Sequence, residues 1–182
     1  MPGFRFDFDF LRNRYDYELQ RKEQLTAALT LPVAVLSALG GAIVAMARSF
    51  SYLEPLLTWS FGTILAAEGF AFVACLAYLA RAYHRQTYVF LPMLGEIDKS
   101  REEFLEFAPA MAGGEAEVIE AFETQMRQRM IEAADRNTQT SDERSGLLHR
   151  ARLALYAVLV LTAAAGIPYV IDQVSFYYAT AI

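Results

Sequence analysis

Three long apolar stretches constrain the fold of this chain more than any other feature of its sequence. Residues 25–47 and 153–171 contain no charged residue, and residues 56–80 contain a single one, Glu68. A helix of about 20 mostly apolar residues is long enough to cross the hydrocarbon core of a bilayer. Each stretch is therefore predicted to be a transmembrane helix, and the chain to be an α-helical membrane protein with three spans.

The distribution of lysine and arginine predicts the orientation of these spans. Basic residues concentrate in 1–24 and 81–152, whereas 48–55 has only Arg48 and 172–182 has none. Loops rich in basic residues remain on the cytoplasmic side of a membrane. The first two segments are therefore predicted to be cytoplasmic, the second as a mostly helical domain. The short loop and the C-terminal tail are predicted to be external.

Two interpretations remain open for residues 4–10, FRFDFDF, which alternate aromatic and charged side chains. Strict alternation is typical of a strand. Residues 87–91, which precede Pro92, are a β-favouring run that would pair with it in a small membrane-proximal sheet. The same aromatic residues also continue at helical spacing into Leu11 and Tyr15, which indicates a helix. The length of the alternation favours the strand.

The remaining cytoplasmic sequence is patterned as helix. Ser100 and Glu103 form a capping box, which predicts a helix that begins there and ends before Pro109. Residues 115–152 are predicted to form a long helix that runs into the third span. Within it, the segment 137–142, NTQTSD, is polar but lacks Gly and Pro. It is either a break or an exposed stretch of continuous helix.

Charge is divided along this helical region, although the formal net charge of the chain is −5. Acidic residues predominate in 96–123, and arginines predominate in 127–152. Two solvated helix faces that attract each other would account for this division. A site for a phosphate-bearing ligand is the alternative, because arginine binds phosphate with paired hydrogen bonds. The residues predicted to line that site are Arg127, Arg129, Arg136 and Arg144.

Glu68 is the most informative single residue, because it lies near the middle of a predicted span. A charge there costs about 2.5–3.5 kcal/mol on insertion scales, so the side chain must face other helices or water. In one interpretation a protonated Glu68 bonds to Ser37 or Thr162 and fixes helix packing. In the other, carboxylates from several subunits form a ring around the axis of an oligomer and control ion passage.

Small residues predict where helices approach closely. Ser37 and Gly41 lie four residues apart in the first span, beside Gly40, and Thr162 and Gly166 repeat this spacing in the third. Such pairs allow two helix backbones to pack closely, within one chain or between chains. We therefore expect helix contacts at these three glycines.

The sequence offers little for catalysis. Its two histidines, His84 and His149, lie beside arginines at predicted membrane edges, and its one cysteine, Cys75, lies within a predicted span. It contains no glycine-rich phosphate loop, nucleophile motif or metal-ligand spacing. We therefore expect neither an enzyme nor a protein that depends on a cofactor or a metal.

Two stretches carry a resemblance to a known group of proteins. Residues 21–46, RKEQLTAALTLPVAVLSALGGAIVAM, resemble the basic juxtamembrane helix and first span of small bacterial membrane effectors of the SLATT type. The shared elements are Leu-Pro-Val at 31–33, Leu36-Ser37 and Gly40-Gly41. Residues 133–156 resemble the polar helix that enters a span in related defence-associated membrane proteins. The third span departs from the two-span SLATT pattern.

The resemblance implies a function and a location. Such effectors form pores or channels in the bacterial inner membrane, and Hailong-type systems are the variant with a gated channel. A nucleotide or single-stranded oligonucleotide made by a partner nucleotidyltransferase would control the protein in antiphage or stress defence. Its partners would then be the lipid bilayer, further copies of itself and that ligand. The alternative is a non-conducting membrane scaffold that recruits a soluble partner through its cytoplasmic helices.

Overall fold

The computed structural model describes residues 8–84, 87–92, 94–106 and 114–180, and helices account for almost all of them. Three helical stretches in this described part are long and apolar enough to cross a membrane, which confirms that part of the prediction. The helices are α1 (Phe8–Ala27), α2 (Thr30–Ser49), α3 (Pro55–His84), α4 (Leu94–Glu106) and α5 (Gly114–Thr180).

The chain divides into two compact units. Unit 1 consists of Met1–Gln24 and Gln86–Asp142, and unit 2 consists of Leu25–Arg85 and Glu143–Ile182. Unit 1 contains most of α1, all of α4 and the first part of α5. Unit 2 contains α2, α3 and the remainder of α5, and so contains the three apolar stretches.

The core of unit 2 is built from apolar side chains that recur along α5 at steps of three or four residues or their multiples. On α2 and α3, Leu36, Cys75 and Leu79 belong to the same buried cluster. Cys75 Sγ donates to the Ala151 carbonyl oxygen at 3.2 Å, so α3 and α5 approach closely there. In the part of α5 that belongs to unit 2, the buried apolar positions are Leu148, Ala151, Leu155, Val158 and Ala165.

Large apolar side chains cover much of the outer surface of unit 2. Phe70 is 83% exposed, Leu31 is 71% exposed and Val160 is 67% exposed. A water-soluble domain rarely leaves so much large apolar surface uncovered. This surface is suited to contact with lipid or with another copy of the chain.

The predicted packing glycines differ in their surroundings. A Cβ atom added at Gly40 would lie 3.5 Å from the ring of Phe72, an ordinary contact. One added at Gly41 or Gly166 would meet nothing within 4 Å. Within one chain, therefore, the structure places only Gly40 at a helix contact.

The strand interpretation is wrong for the described part of the aromatic segment. Residues 8–10 begin α1, and residues 4–7 lie outside the described residues. Leu11 and Tyr15 are buried one turn apart, so helical spacing determines this segment. Residues 87–92 are non-helical and form no strand. Strand pairing is not needed there, because side chains bond the backbone of this segment, as described below.

The helices of unit 1 differ from the prediction at two points. α4 begins at Leu94, so Ser100 lies inside the helix and not at its N-terminus. Pro92 disfavours a helical conformation at the residue before it, so α4 does not begin earlier. Glu96 in the first turn of α4 interacts favourably with the helix dipole. Residues 137–142 are continuous helix, as one of the two alternatives required. They are exposed on one side only, since Asn137 and Ser141 are fully buried, whereas Gln139 and Asp142 are exposed.

Two helices extend beyond the limits of the spans predicted within them. α3 continues to His84, and α5 continues through the predicted external tail to Thr180. Asp172, the first residue of that tail, is 3% exposed. Its carboxylate accepts hydrogen bonds from the Ser51 backbone N–H at 2.9 Å and from the Ser51 hydroxyl. These bonds hold the start of the tail against the loop that follows α2.

Candidate functional site

Glu68 lies at a contact between α3 and α5 in unit 2. Its side chain is 0% exposed, and Thr162 Oγ1 donates to Glu68 Oε1. The other predicted partner, Ser37, instead donates to the carbonyl of Val33 in its own helix at 2.9 Å. The structure therefore brings together Glu68 and Thr162, but not Ser37.

Thr162 also bonds within its own helix. Its Oγ1 lies 2.9 Å from the Val158 carbonyl oxygen, which can only accept a hydrogen bond. A hydroxyl carries one proton, so Thr162 shares that proton between the Val158 carbonyl oxygen and Glu68 Oε1. Glu68 Oε2 is buried without a hydrogen-bond partner in the described residues. The bond between Glu68 and Thr162 joins α3 to α5.

The four predicted ligand arginines fall into different environments. Arg129 and Arg136 are exposed on α5 in unit 1 and line one cavity. Arg127 is half-buried, and its Nε lacks a hydrogen-bond partner in the described structure. Arg144 belongs to unit 2 and is 0% exposed. Only Arg129 and Arg136 therefore form a common candidate site.

Arg144 has a structural position at the end of α3. Its Nε donates to the Ala82 carbonyl oxygen at 3.1 Å, and its Nη2 donates to Thr26 Oγ1 at 3.3 Å. The last four carbonyl groups of a helix have no partner within that helix, and Ala82 is among them. The cation also interacts favourably with the negative end of the helix dipole. Arg144 therefore closes the C-terminus of α3.

The cavity beside Arg129 and Arg136 has a volume of about 240 Å³. We call it the arginine groove. One wall is the extended segment 87–92, where Phe90 is 59% exposed. A second cavity of about 180 Å³ shares Pro92 and Arg129 with it and continues toward α4. The lining residues of the arginine groove are Val89, Phe90, Leu91, Pro92, Arg129, Glu132, Ala133 and Arg136.

Asn137 holds the extended wall of the arginine groove in place. Its Oδ1 accepts from the Val89 backbone N–H at 2.8 Å, and its Nδ2 donates to the Val89 carbonyl at 3.0 Å. This pair of bonds replaces those of a neighbouring strand. The Leu91 backbone N–H donates to Tyr15 Oη at 3.0 Å. Lys22 Nζ lies 4.8 Å from the centroid of the Phe90 ring.

A polar network joins α1 to α5 in unit 1. The buried Glu18 accepts a hydrogen bond from Thr138 at 3.0 Å and lies 3.1 Å from Arg14. Arg21 Nη2 donates to Asp142 Oδ1 at 2.6 Å. That bond raises the pKa of Arg21 above its ordinary value, against the opposing effect of burial. The network pairs the buried Glu18 with Arg14 and Arg21, while Glu18 Oε2 has no hydrogen-bond partner in the described residues.

The sequence interpretation missed Asn137 and Glu18, although a signal exists for both. Asn137 continues the three- and four-residue spacing of Met130, Ala133 and Ala134, all buried. Glu18 likewise follows the buried Leu11 and Tyr15 at steps of four and three. A polar residue in register with an apolar stripe indicates a specific buried partner.

The described residues contain no cluster of His, Cys, Asp or Glu suited to a metal ion. Comparisons with models of protein families, with curated proteins and with solved structures find no match to this chain. The arginine groove and the Glu68–Thr162 pair are therefore interpreted from their chemistry.

Proposed function

We propose that this protein is an oligomeric membrane effector that forms a ligand-gated ion pathway, with the arginine groove as its ligand site. One observation carries the proposal. The single helix α5 contains the groove arginines Arg129 and Arg136 and also Thr162, the partner of Glu68. A ligand that favours one arrangement of α5 therefore acts on a helix that also contributes to the membrane-spanning unit.

The chemistry of the groove favours a nucleotide or single-stranded oligonucleotide. Two exposed guanidinium groups, Arg129 and Arg136, are suited to phosphate oxygens. Phe90 lines the same groove and has Lys22 over its ring; exposed aromatic rings of this kind stack with bases in single-stranded nucleic-acid sites. The formal net charge of −5 restricts such binding to a local site.

Gating requires a ligand to bind two arrangements of the protein with different affinities. Asn137 connects the groove wall to α5, because it lies on α5 and its side chain bonds to the Val89 backbone in the wall. A ligand that contacts Phe90 and the arginines together then stabilises one position of the wall relative to α5. The role in antiphage or stress defence follows from the resemblance to SLATT-like and Hailong-type effectors.

The burial of Glu68 favours a second candidate, a non-conducting scaffold. In one chain this carboxyl group is covered and bonded to Thr162, and so an ion has no access to it. A scaffold would use the cytoplasmic helices to recruit a soluble partner. In a conducting protein, the pathway would instead be formed between copies and lined mostly by small and apolar side chains, a surface able to gate by dewetting.

Ligand binding at the groove is tested with fluorescently labelled dinucleotides and short DNA and RNA homo-oligonucleotides. We expect Arg129→Gln and Arg136→Gln each to weaken binding about tenfold or more, since a hydrogen bond to a charged group contributes ~1.5–3 kcal/mol. Log affinity falls linearly with log salt concentration, and each lost phosphate contact reduces the magnitude of that slope by about 0.7. Fluorescence anisotropy of the full chain in detergent measures both quantities.

Arg12→Gln is the matched control, because Arg12 is exposed on α1 and does not line the groove. It removes the same charge from unit 1. Equal losses for the control and the groove variants would indicate general attraction and contradict a groove site. Binding by none of the probes would remove the ligand part of the proposal.

A further inference from the structure

Unit 2 contains a cavity lined by two arginines, which is distinct from the arginine groove of unit 1. It has a volume of about 540 Å³ and is lined by residues of α3 and α5. Arg81 comes from the last turn of α3, and Arg150 comes from α5. The remaining lining residues are Glu143, Gly146 and Leu147.

The two arginines leave positive charge in this cavity. In the described part of the chain, neither the Arg81 nor the Arg150 side chain has a hydrogen-bond or ion-pair partner. Glu143 lies at the same cavity and has a partner of its own. Gly146 contributes no side chain, and a Cβ atom there would meet nothing within 4 Å. The cavity is therefore open space beside two guanidinium groups and one carboxylate, with an excess of positive charge.

Position along the helices places both arginines at the edge of the apolar stretches. Arg81 directly follows the stretch 56–80, and Arg150 precedes the stretch 153–171 by three residues. Three residues of helix span about 4.5 Å. In a chain that crosses a bilayer, both guanidinium groups then lie at the depth of lipid headgroups. Leu153, one turn below Arg150, is 55% exposed and is available to an acyl chain.

We propose that the Arg81–Arg150 cavity binds the phosphate of an anionic phospholipid headgroup. Basic cavities between membrane-spanning helices bind such headgroups, and guanidinium groups bond phosphate oxygens in pairs. The site rests only on insertion of the chain in a membrane. It is independent of ion conduction and of the arginine groove, so its failure would leave the proposed function standing.

Native mass spectrometry of the full chain, titrated with phosphatidylglycerol or phosphatidylcholine, tests the site. We expect a preference for phosphatidylglycerol that falls about tenfold in Arg81→Gln and about tenfold in Arg150→Gln, because each variant loses charge-assisted hydrogen bonds to the headgroup phosphate. Arg152→Gln is the control, since Arg152 is exposed two residues away and does not line the cavity. Equal losses in all three variants would overturn the proposal.

A second pair of variants leaves both arginines in place. Gly146→Glu introduces a carboxylate four residues before Arg150, where it can pair with that arginine. Gly146→Gln introduces the same bulk without charge. We expect only the carboxylate to abolish the phosphatidylglycerol preference, and equal behaviour of the two variants would contradict a charge-based site. Glycerol 1-phosphate separates lipid from free anion: displacement of the lipid by this compound at equal concentration would overturn the lipid assignment.

Discussion

Replacing Asn137 with alanine is expected to lower the free energy of unfolding by about 2–4 kcal/mol. The substitution leaves both the N–H and the carbonyl group of Val89 unpaired, and each unsatisfied buried group costs about 1–3 kcal/mol. Both bonds of the wild-type pair are part-buried, so water replaces them incompletely. Thermal unfolding in detergent, followed by circular dichroism, measures the change.

Gln139→Ala is the control for this substitution, because Gln139 is an exposed polar residue on the same helix. Asn137→Asp refines the test, since it keeps the acceptor for the Val89 N–H and removes the donor to the Val89 carbonyl. We expect it to fall between wild type and Asn137→Ala. If Asn137→Ala unfolds at the temperature of Gln139→Ala, the paired bonds do not hold the extended segment.

Arg144→Ala is expected to cost still more, about 3–5 kcal/mol, from lost packing and from an unpaired carbonyl at the end of α3. Arg144 is 0% exposed and is among the largest fully buried side chains described. Arg144→Met should cost less than alanine, because an apolar side chain of similar volume fills the space and removes the need to bury a charge. Thermal unfolding of the three proteins gives this order.

We expect substitutions of Arg144 and Arg136 to have opposite effects when unfolding temperature and nucleotide affinity are both measured for each variant. Arg144→Met lowers the unfolding temperature and leaves the affinity of the folded protein unchanged, because Arg144 lies outside the arginine groove. Arg136→Gln lowers the affinity and leaves the unfolding temperature unchanged. Loss of affinity in Arg144→Met without loss of stability would return Arg144 to the ligand site predicted from the sequence.

The sequence predicts the apolar helices well because length and lack of charge alone determine whether a helix can cross a membrane. It also predicts the role of Thr162 as one of two partners for Glu68. The choice between Thr162 and Ser37 depends on which helix faces α3, and the pattern within one helix does not contain that information. The structure gives the answer by placing Ser37 against its own backbone.

The errors in the prediction of unit 1 have a different cause. Residues 87–91 favour a strand locally, but their backbone groups bond to Asn137 and Tyr15, which are 48 and 76 positions away in the chain. A pattern over a few residues indicates that their backbone groups require hydrogen-bond partners, but it does not identify those partners. The same limit explains why Arg144, grouped with the other arginines by charge, lies in another unit.

Ion flux from liposomes that contain the purified chain tests the central claim most directly. The measurement compares wild type with Arg129→Gln/Arg136→Gln, each with and without the oligonucleotides that bind the wild type. We predict a wild-type flux that changes when oligonucleotide is added, and a double variant whose flux is insensitive to it. No flux from the wild type in any ligand state would contradict an ion pathway and favour the scaffold.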